Sequence, residues 1–275
     1  MSYYYLISSL PELSPVMDAS RVDFDELFDS IKRNLDEQDI RLFQYLIYPN
    51  DIQNLVTVLS AHNEDRSSIQ FKNPSIIHPE EIEAFKINRR SFPDFMNDFI
   101  SENEDRLLNM SPREMEDAML SRFQEELRGL NNSFLIDYFK FLKGLKSVIA
   151  AYNFNTYDFL TKPNISDAER LILQVGPDRT PSASLIQDYP IVEELIKALS
   201  ENQPERTEQF IDQMLWDFVD ETARGQFSSE AVMAYVIKLQ ILKRWFDIEQ
   251  ETHEGYDTLI DNIINNNPSQ KLTAS

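Results

Sequence analysis

The sequence predicts an all-α protein, and three observations lead to this prediction. Glycine is scarce, with 5 residues in 275, whereas tight β-turns depend on glycine. Apolar residues recur at helical spacing in several long segments. Combinations of residues that are typical of helix starts and stops flank these segments. We therefore expect helices throughout, with little or no sheet.

The first helical pattern follows an ambiguous opening. Residues 3–10 are aromatic and apolar and fit either a short strand or a first helical turn. Residues 23–35 then carry one apolar stripe with charged residues opposite, formed by Phe24, Leu27, Phe28, Ile31 and Leu35. This stripe predicts an amphipathic helix. A further apolar helix is predicted around residues 51–59, with His62 at its end.

Later helices are predicted from their boundary residues. Ser111, Pro112 and Glu114 form a capping box with proline at the first helical position, and Gly129 marks the stop after Arg128. A second capping box occupies residues 166–169, and helices are predicted over residues 204–224, with Gly225 as the stop, and over residues 229–251. Residues 62–79 and 176–184 are rich in polar residues and proline and predict loops.

Composition restricts the function. The net charge is −21, and such a surface repels phosphate backbones and anionic lipids, so nucleic acid and membrane surfaces are poor partners. Cysteine is absent, which removes disulfides and thiolate metal sites. The longest uninterrupted apolar run has seven residues, Ala231 to Ile237, against about 18 for a membrane span, and the N-terminus lacks the basic start of a signal peptide. We expect a soluble cytoplasmic protein.

No catalytic or cofactor-binding constellation is visible in the sequence. It contains no GxGxxG, P-loop, HExxH or GxSxG pattern. His78 precedes Pro79-Glu80-Glu81 as at a helix start, and His253 sits where a histidine complements a helix C-terminus. We expect no enzyme activity, no cofactor and no metal. A hydrolase with a carboxylate-bound metal near His78 or His253 is the weaker alternative.

An internal repeat is suggested by two matching segments. Residues 123–129 resemble residues 218–225, and Tyr138 and Tyr235 follow at similar distances and open helices with the same apolar spacing. A third copy is aligned at residues 51–55. The predicted organisation is three helical pseudo-repeats at residues 1–78, 79–176 and 177–264, forming one elongated or funnel-shaped body, with a disordered tail at residues 265–275.

Basic residues concentrate on two helices of this acidic chain. They are Lys140, Lys143 and Lys146 on one helix and Lys238, Lys243 and Arg244 on its repeat mate. They form a solvated face, a docking strip for an acidic partner, or an internal salt-bridge seam; the sequence leaves these alternatives open.

The segments described above resemble the C-type rotor subunits of V/A-type ATPases, which are called d-type in eukaryotes. Each repeat of that family ends in a helix reading roughly Tyr-x-x-Lys-Ile-Asp-Ile-x-Asn-Ile. The hexapeptide Asn-Asp-Ile-Gln-Asn-Leu at residues 50–55 fits this pattern, and residues 235–243 keep its tyrosine, lysine and apolar positions. The opening, residues 3–13, resembles a family of uncharacterised bacterial proteins that are encoded with V-type ATPase subunits.

The resemblance implies a non-catalytic connector of the rotor, or central stalk, that couples the membrane ring to the central shaft. Its partners would be the proteolipid ring and the central-shaft subunits, with no nucleic acid and no direct membrane insertion, and it would be peripheral to the membrane through these proteins. Partner-contact candidates, by alignment with the motif, are Asp51, Asn54, Lys143, Lys146, Gln240 and Lys243. The alternative is a helical scaffold or adaptor unrelated to ATPases.

Overall fold

A computed structural model describes residues 3–15, 17–61, 69–84, 92–156, 181–188, 191–201, 203–223 and 227–265. Within these residues the chain forms eleven α-helices, two 3₁₀ turns and no strand. The prediction of an all-α fold is therefore confirmed. None of the described helices is long and apolar enough to cross a membrane.

The helices are numbered here in chain order. They are α1 (Tyr4–Ser9), α2 (Phe24–Asn34), α3 (Glu37–Ser60), α4 (Pro79–Glu83), α5 (Asp94–Asn103), α6 (Pro112–Arg128), α7 (Ser133–Thr156), α8 (Ala183–Asp188), α9 (Val192–Ser200), α10 (Pro204–Ala223) and α11 (Ser229–Asn265). The 3₁₀ turns are Ala19–Arg21 and Leu107–Asn109.

Several predicted helix boundaries agree with the structure, and they are those at which the sequence contains capping residues. The Asp23 carboxylate accepts a hydrogen bond from the backbone N–H of Glu26 at 3.0 Å and begins α2. Ser111 begins α6 with a complete capping box to Glu114, and Gly129 ends that helix. The backbone N–H of His78 donates to Glu81 at 3.2 Å, as expected for a histidine at a helix start.

Other boundaries differ from the prediction or were left open by it. Residues 4–9 form a helix rather than a strand. Helix α11 continues to Asn265, beyond the predicted end at residue 251. Helix α8 begins at Ala183, inside the predicted loop of residues 176–184. The second capping box, His62, Gly225 and the tail from residue 266 lie outside the described residues, and the pseudo-repeats remain a prediction.

The buried apolar side chains form two clusters. The larger cluster joins α1, α2, the first half of α3 and helices α7 to α11. The smaller cluster joins the second half of α3 with α4, α5 and α6. Helix α3 thus runs through both clusters, and burial of its apolar residues, such as Ile47 and Leu55, links the two.

A contact between two helices supports α3 near the point where the clusters meet. Pro49 lies inside α3 and has no N–H to donate to the helix. Close to this turn, the side-chain amide of Gln240 on α11 donates to the Leu46 carbonyl oxygen at 3.1 Å. Tertiary contacts therefore hold α3 continuous through a residue that weakens an isolated helix.

Candidate partner-binding site

Three polar side chains of α3 hold the segment that follows the motif of residues 50–55. The segment they hold is the connection between α3 and α4, and its residues 69–78, which have no regular secondary structure, are called the anchored loop. The three residues are Asn50, Asp51 and Asn54. They occur on one helix at spacings of one, three and four, so they can all face the loop.

Asp51 makes the central contacts. Its Oδ1 accepts hydrogen bonds from the backbone N–H of Ile76 at 3.1 Å and of Ile77 at 3.2 Å, and its Oδ2 lies 3.2 Å from the same Ile76 nitrogen. The residue is fully buried, with 0% exposure. Burial raises the pKa of the Asp51 carboxyl to about 7, and the N–H donors of Ile77 and Ile76 oppose this rise. Asp51 is therefore a structural acceptor for loop amides.

The two asparagines fix the rest of the loop. The side-chain amide of Asn54 donates to the Lys72 carbonyl oxygen at 3.0 Å and accepts from the Lys72 N–H at 2.7 Å. Asn50 donates to the Pro74 carbonyl oxygen at 2.9 Å. Because both hydrogen-bonding edges of Asn54 are used, neither an aspartate nor a leucine could replace it without losing at least one of these bonds.

Burial changes the role that the sequence predicts for Asp51 and Asn54. Asn54 is 2% exposed, so neither side chain can contact a partner directly in this conformation. What reaches the surface is the loop that they hold, with Lys72 and Asn73 exposed beside the buried Ile77. Any partner contact at this site therefore passes through the anchored loop.

One lysine of α7, Lys146, lies close enough to this loop to interact electrostatically with Lys72. Lys143 is half-buried and makes interactions with the rest of the chain, whereas Lys146 is exposed. Nearby protein nevertheless takes part of the water from the Lys146 ammonium, which lowers its pKa. Repulsion from Lys72 and Arg244 lowers this pKa further, and attraction to Glu116 opposes the shift. Lys146 and Lys72 thus place positive charge at one part of an acidic protein.

The candidates on α11 make internal contacts. Gln240 supports α3, as described above. The Lys243 ammonium lies 2.9 Å from the Asp247 carboxylate and 5.8 Å from the centre of the Phe24 ring on α2. The structure therefore brings Asp51, Asn54 and Lys146 to the region of the anchored loop, while Lys243 faces α2.

A salt-bridge seam joins α10 and α11. Buried Asp212 accepts hydrogen bonds from the Arg244 guanidinium and, at 2.6 Å, from the Trp245 indole N–H. Arg244 also meets Glu208 at 3.0 Å, and Lys238 pairs with Asp220. The sequence left three alternatives open for the basic residues. For Lys238 and Arg244, the structure shows the internal salt-bridge seam.

Asp212 is the residue of this seam that sequence reasoning missed. Burial raises the pKa of its carboxyl, while hydrogen bonds from Arg244 and Trp245 oppose the rise. Its sequence signal is weak, because an aspartate on an acid-rich helix looks like part of a solvated face. Only the packing of Trp245 and Arg244 against α10 distinguishes it from its acidic neighbours.

The described residues contain no group of three or more histidine, aspartate or glutamate side chains that could hold a metal ion. His78 is exposed at the start of α4. The side chain of His253 lies outside the described residues, so the structure does not test the alternative of a metal site near it.

Comparison with known proteins adds a family but no activity. The family described as "Protein of unknown function (DUF2764)" matches residues 1–267. No curated protein matches the chain, and no solved structure does. Since the match covers nearly the whole sequence, the chain belongs to the DUF2764 family, whose function is unknown.

Proposed function

We propose that this protein is a non-catalytic connector in the rotor, or central stalk, of a V/A-type ATPase. It would join the proteolipid ring to the central-shaft subunits and transmit torque between them. It would lie in the cytoplasm, at the membrane face, through these protein partners alone. The ATPase context comes from the resemblance of residues 50–55 to the repeat motif of the C-type rotor proteins.

One observation carries the proposal. The residues that match the motif, Asp51 and Asn54, hold the anchored loop through five hydrogen-bond contacts of 2.7 to 3.2 Å. A motif used in this way gives a loop of fixed shape at the surface, which a connector needs in order to dock without losing conformational entropy.

The architecture is compatible with a mechanical role. Helix α3 contributes to both apolar clusters, so a force applied at the anchored loop reaches the larger cluster through a packed helix. Close-packed interiors have low compressibility and transmit strain. The net charge of −21 would also keep the surface away from anionic lipid while favouring basic loops of partner proteins.

Co-purification tests the proposal. The protein, tagged at its C-terminus, is isolated from gently solubilised native membranes at modest salt, and its partners are identified by mass spectrometry. We expect proteins of the ring and the central shaft to be recovered with it. Recovery of soluble partners alone, or of none, would contradict the rotor role and would favour the alternative of an adaptor unrelated to ATPases.

A substitution in the anchored loop tests where the partners dock. Asn54 holds Lys72 through its backbone only, so Lys72→Ala removes an exposed side chain while leaving these bonds in place. Lys32→Ala, at an exposed position of α2, is the matched control with the same change of charge. We expect Lys72→Ala, and not Lys32→Ala, to reduce recovery of the ATPase proteins. Equal recovery from both variants would place the contact elsewhere.

A further inference from the structure

Three exposed aromatic rings form a patch where α1 meets the beginning of α11. The exposed fractions are 52% for Tyr4, 88% for Tyr5 and 42% for Phe227. Ring centres lie 4.8 Å apart for Tyr4 and Phe227 and 5.7 Å apart for Tyr4 and Tyr5. These three residues are called the aromatic patch. Large aromatic side chains that are exposed side by side mark interaction surfaces more often than scattered exposed residues do.

The aromatic patch is held in place from beneath. The Tyr3 hydroxyl donates to the Asp39 carboxylate on α3 at 2.6 Å, and the Tyr3 backbone N–H donates to the Phe227 carbonyl oxygen at 2.6 Å. Leu6 is buried in the larger cluster, and the Tyr235 hydroxyl donates to the Pro11 carbonyl oxygen just after α1. A short helix that could not persist alone is thereby fixed by tertiary contacts, and a ligand would meet rings that are already ordered.

The charge around the aromatic patch indicates the chemistry of its partner. Among the described residues that flank it in the sequence, 3–15 and 227–232, the two charged side chains are Glu12 and Glu230, and both are acidic. The whole chain carries a net charge of −21. Aromatic faces attract cations, and arginine stacks on them best because its guanidinium is planar and weakly hydrated. An anionic lipid surface would be repelled by the same charges.

We propose that the aromatic patch binds an arginine-bearing segment of a partner protein, with a guanidinium stacked on the rings of Tyr4 and Tyr5. The negative net charge of the chain would attract the segment, and the rings would select arginine over lysine. This surface uses α1 and α11 rather than the anchored loop between α3 and α4. It does not depend on the proposed rotor role, and either proposal can fail without the other.

Titration with two defined peptides tests this assignment. Fluorescent peptides with four arginines, or four lysines, in the same glycine–serine background are titrated with the purified full-length protein at physiological salt, and binding is followed by anisotropy. The variant is Tyr4→Leu combined with Tyr5→Leu, which keeps charge and apolar bulk but removes both rings. Tyr4→Phe combined with Tyr5→Phe keeps the rings. Leu108→Ala, at a residue 90% exposed elsewhere, is the control for loss of surface apolar area.

We expect the leucine variant to bind the arginine peptide roughly fivefold to twentyfold more weakly than the wild type, with a smaller change for the lysine peptide. The phenylalanine and Leu108→Ala variants should bind as the wild type does. The proposal would be overturned if the wild type and the leucine variant bound the arginine peptide with affinities within twofold of each other. Sedimentation showing a wild-type dimer that the leucine variant converts to a monomer would also overturn it, since a second copy would then occupy the patch.

Discussion

Removing the Asp51 side chain should release the anchored loop. Asp51→Ala leaves the backbone N–H groups of Ile76 and Ile77 without their acceptor. Asp51→Asn offers one oxygen at the position that accepts both bonds. Because both variants are uncharged at residue 51, comparing them cancels the cost of burying a carboxylate and isolates the hydrogen bonds.

The magnitude follows from the groups left unpaired. Two buried donors without acceptors cost roughly 1–3 kcal/mol each. Two effects destabilise Asp51→Asn instead. Its buried N–H₂ group costs about as much as one unpaired donor, and asparagine is less favourable than alanine in a helix by roughly 0.6 kcal/mol. We therefore expect Asp51→Ala to be less stable than Asp51→Asn by about 1.5 kcal/mol.

Urea denaturation followed by circular dichroism measures this difference in the free energy of unfolding. The matched control is Asp29→Ala against Asp29→Asn, at an exposed position of α2, where helix propensity should make alanine the more stable residue. Amide hydrogen exchange adds a local measurement, with faster exchange expected at Ile76 and Ile77 in Asp51→Ala. If Asp51→Ala matched Asp51→Asn in stability, and exchange in the loop were unchanged, the anchoring role would be refuted.

Three further predictions concern stability. Ser111→Ala should lower the unfolding free energy by about 1 kcal/mol in urea denaturation, because it removes the acceptor for the N–H of Glu114; an unchanged midpoint would contradict the capping role. Tyr3→Phe should cost roughly 1–3 kcal/mol, because it leaves the Asp39 carboxylate, 9% exposed, without the tyrosine hydroxyl; full stability by thermal unfolding would show that the bond contributes little. The wild type should lose stability relative to Asp51→Asn as the pH rises from about 4 to about 7, because the folded-state pKa of Asp51 is raised from 3.8 to about 7 and the folded state then binds more protons than the unfolded state. Urea midpoints at pH 5 and pH 8 that move in parallel for both proteins would contradict this assignment.

The acceptor role of Asp51 and Asn54 shows where sequence reasoning about a site stops. The match to the repeat motif singles out the two residues, but a polar pair on a helix can face a partner, solvent or another part of the same chain. The choice depends on whether residues 69–78 fold back over α3. That loop has no periodic pattern of its own, so nothing local predicts its path.

The same limit applies to the basic residues of α11. Lys238 and Arg244 fit a docking strip and an internal seam equally well in the sequence. Their ion pairs with α10 depend on how two helices pack side by side, and helix packing offers several crossing geometries for one sequence pattern.

What the sequence determined by itself was local. Scarce glycine, helical spacing of apolar residues and caps such as Ser111 and Asp23 specify helices and several of their ends, because these signals act within one or two turns. The tertiary structure decided which polar side chains became buried. In the sequence nothing distinguishes Asp51, Asn54 and Asp212 from exposed polar residues. They can be buried because distant donors satisfy their hydrogen bonds when the helices pack. These donors are backbone groups of the loop of residues 69–78 and side chains of α11.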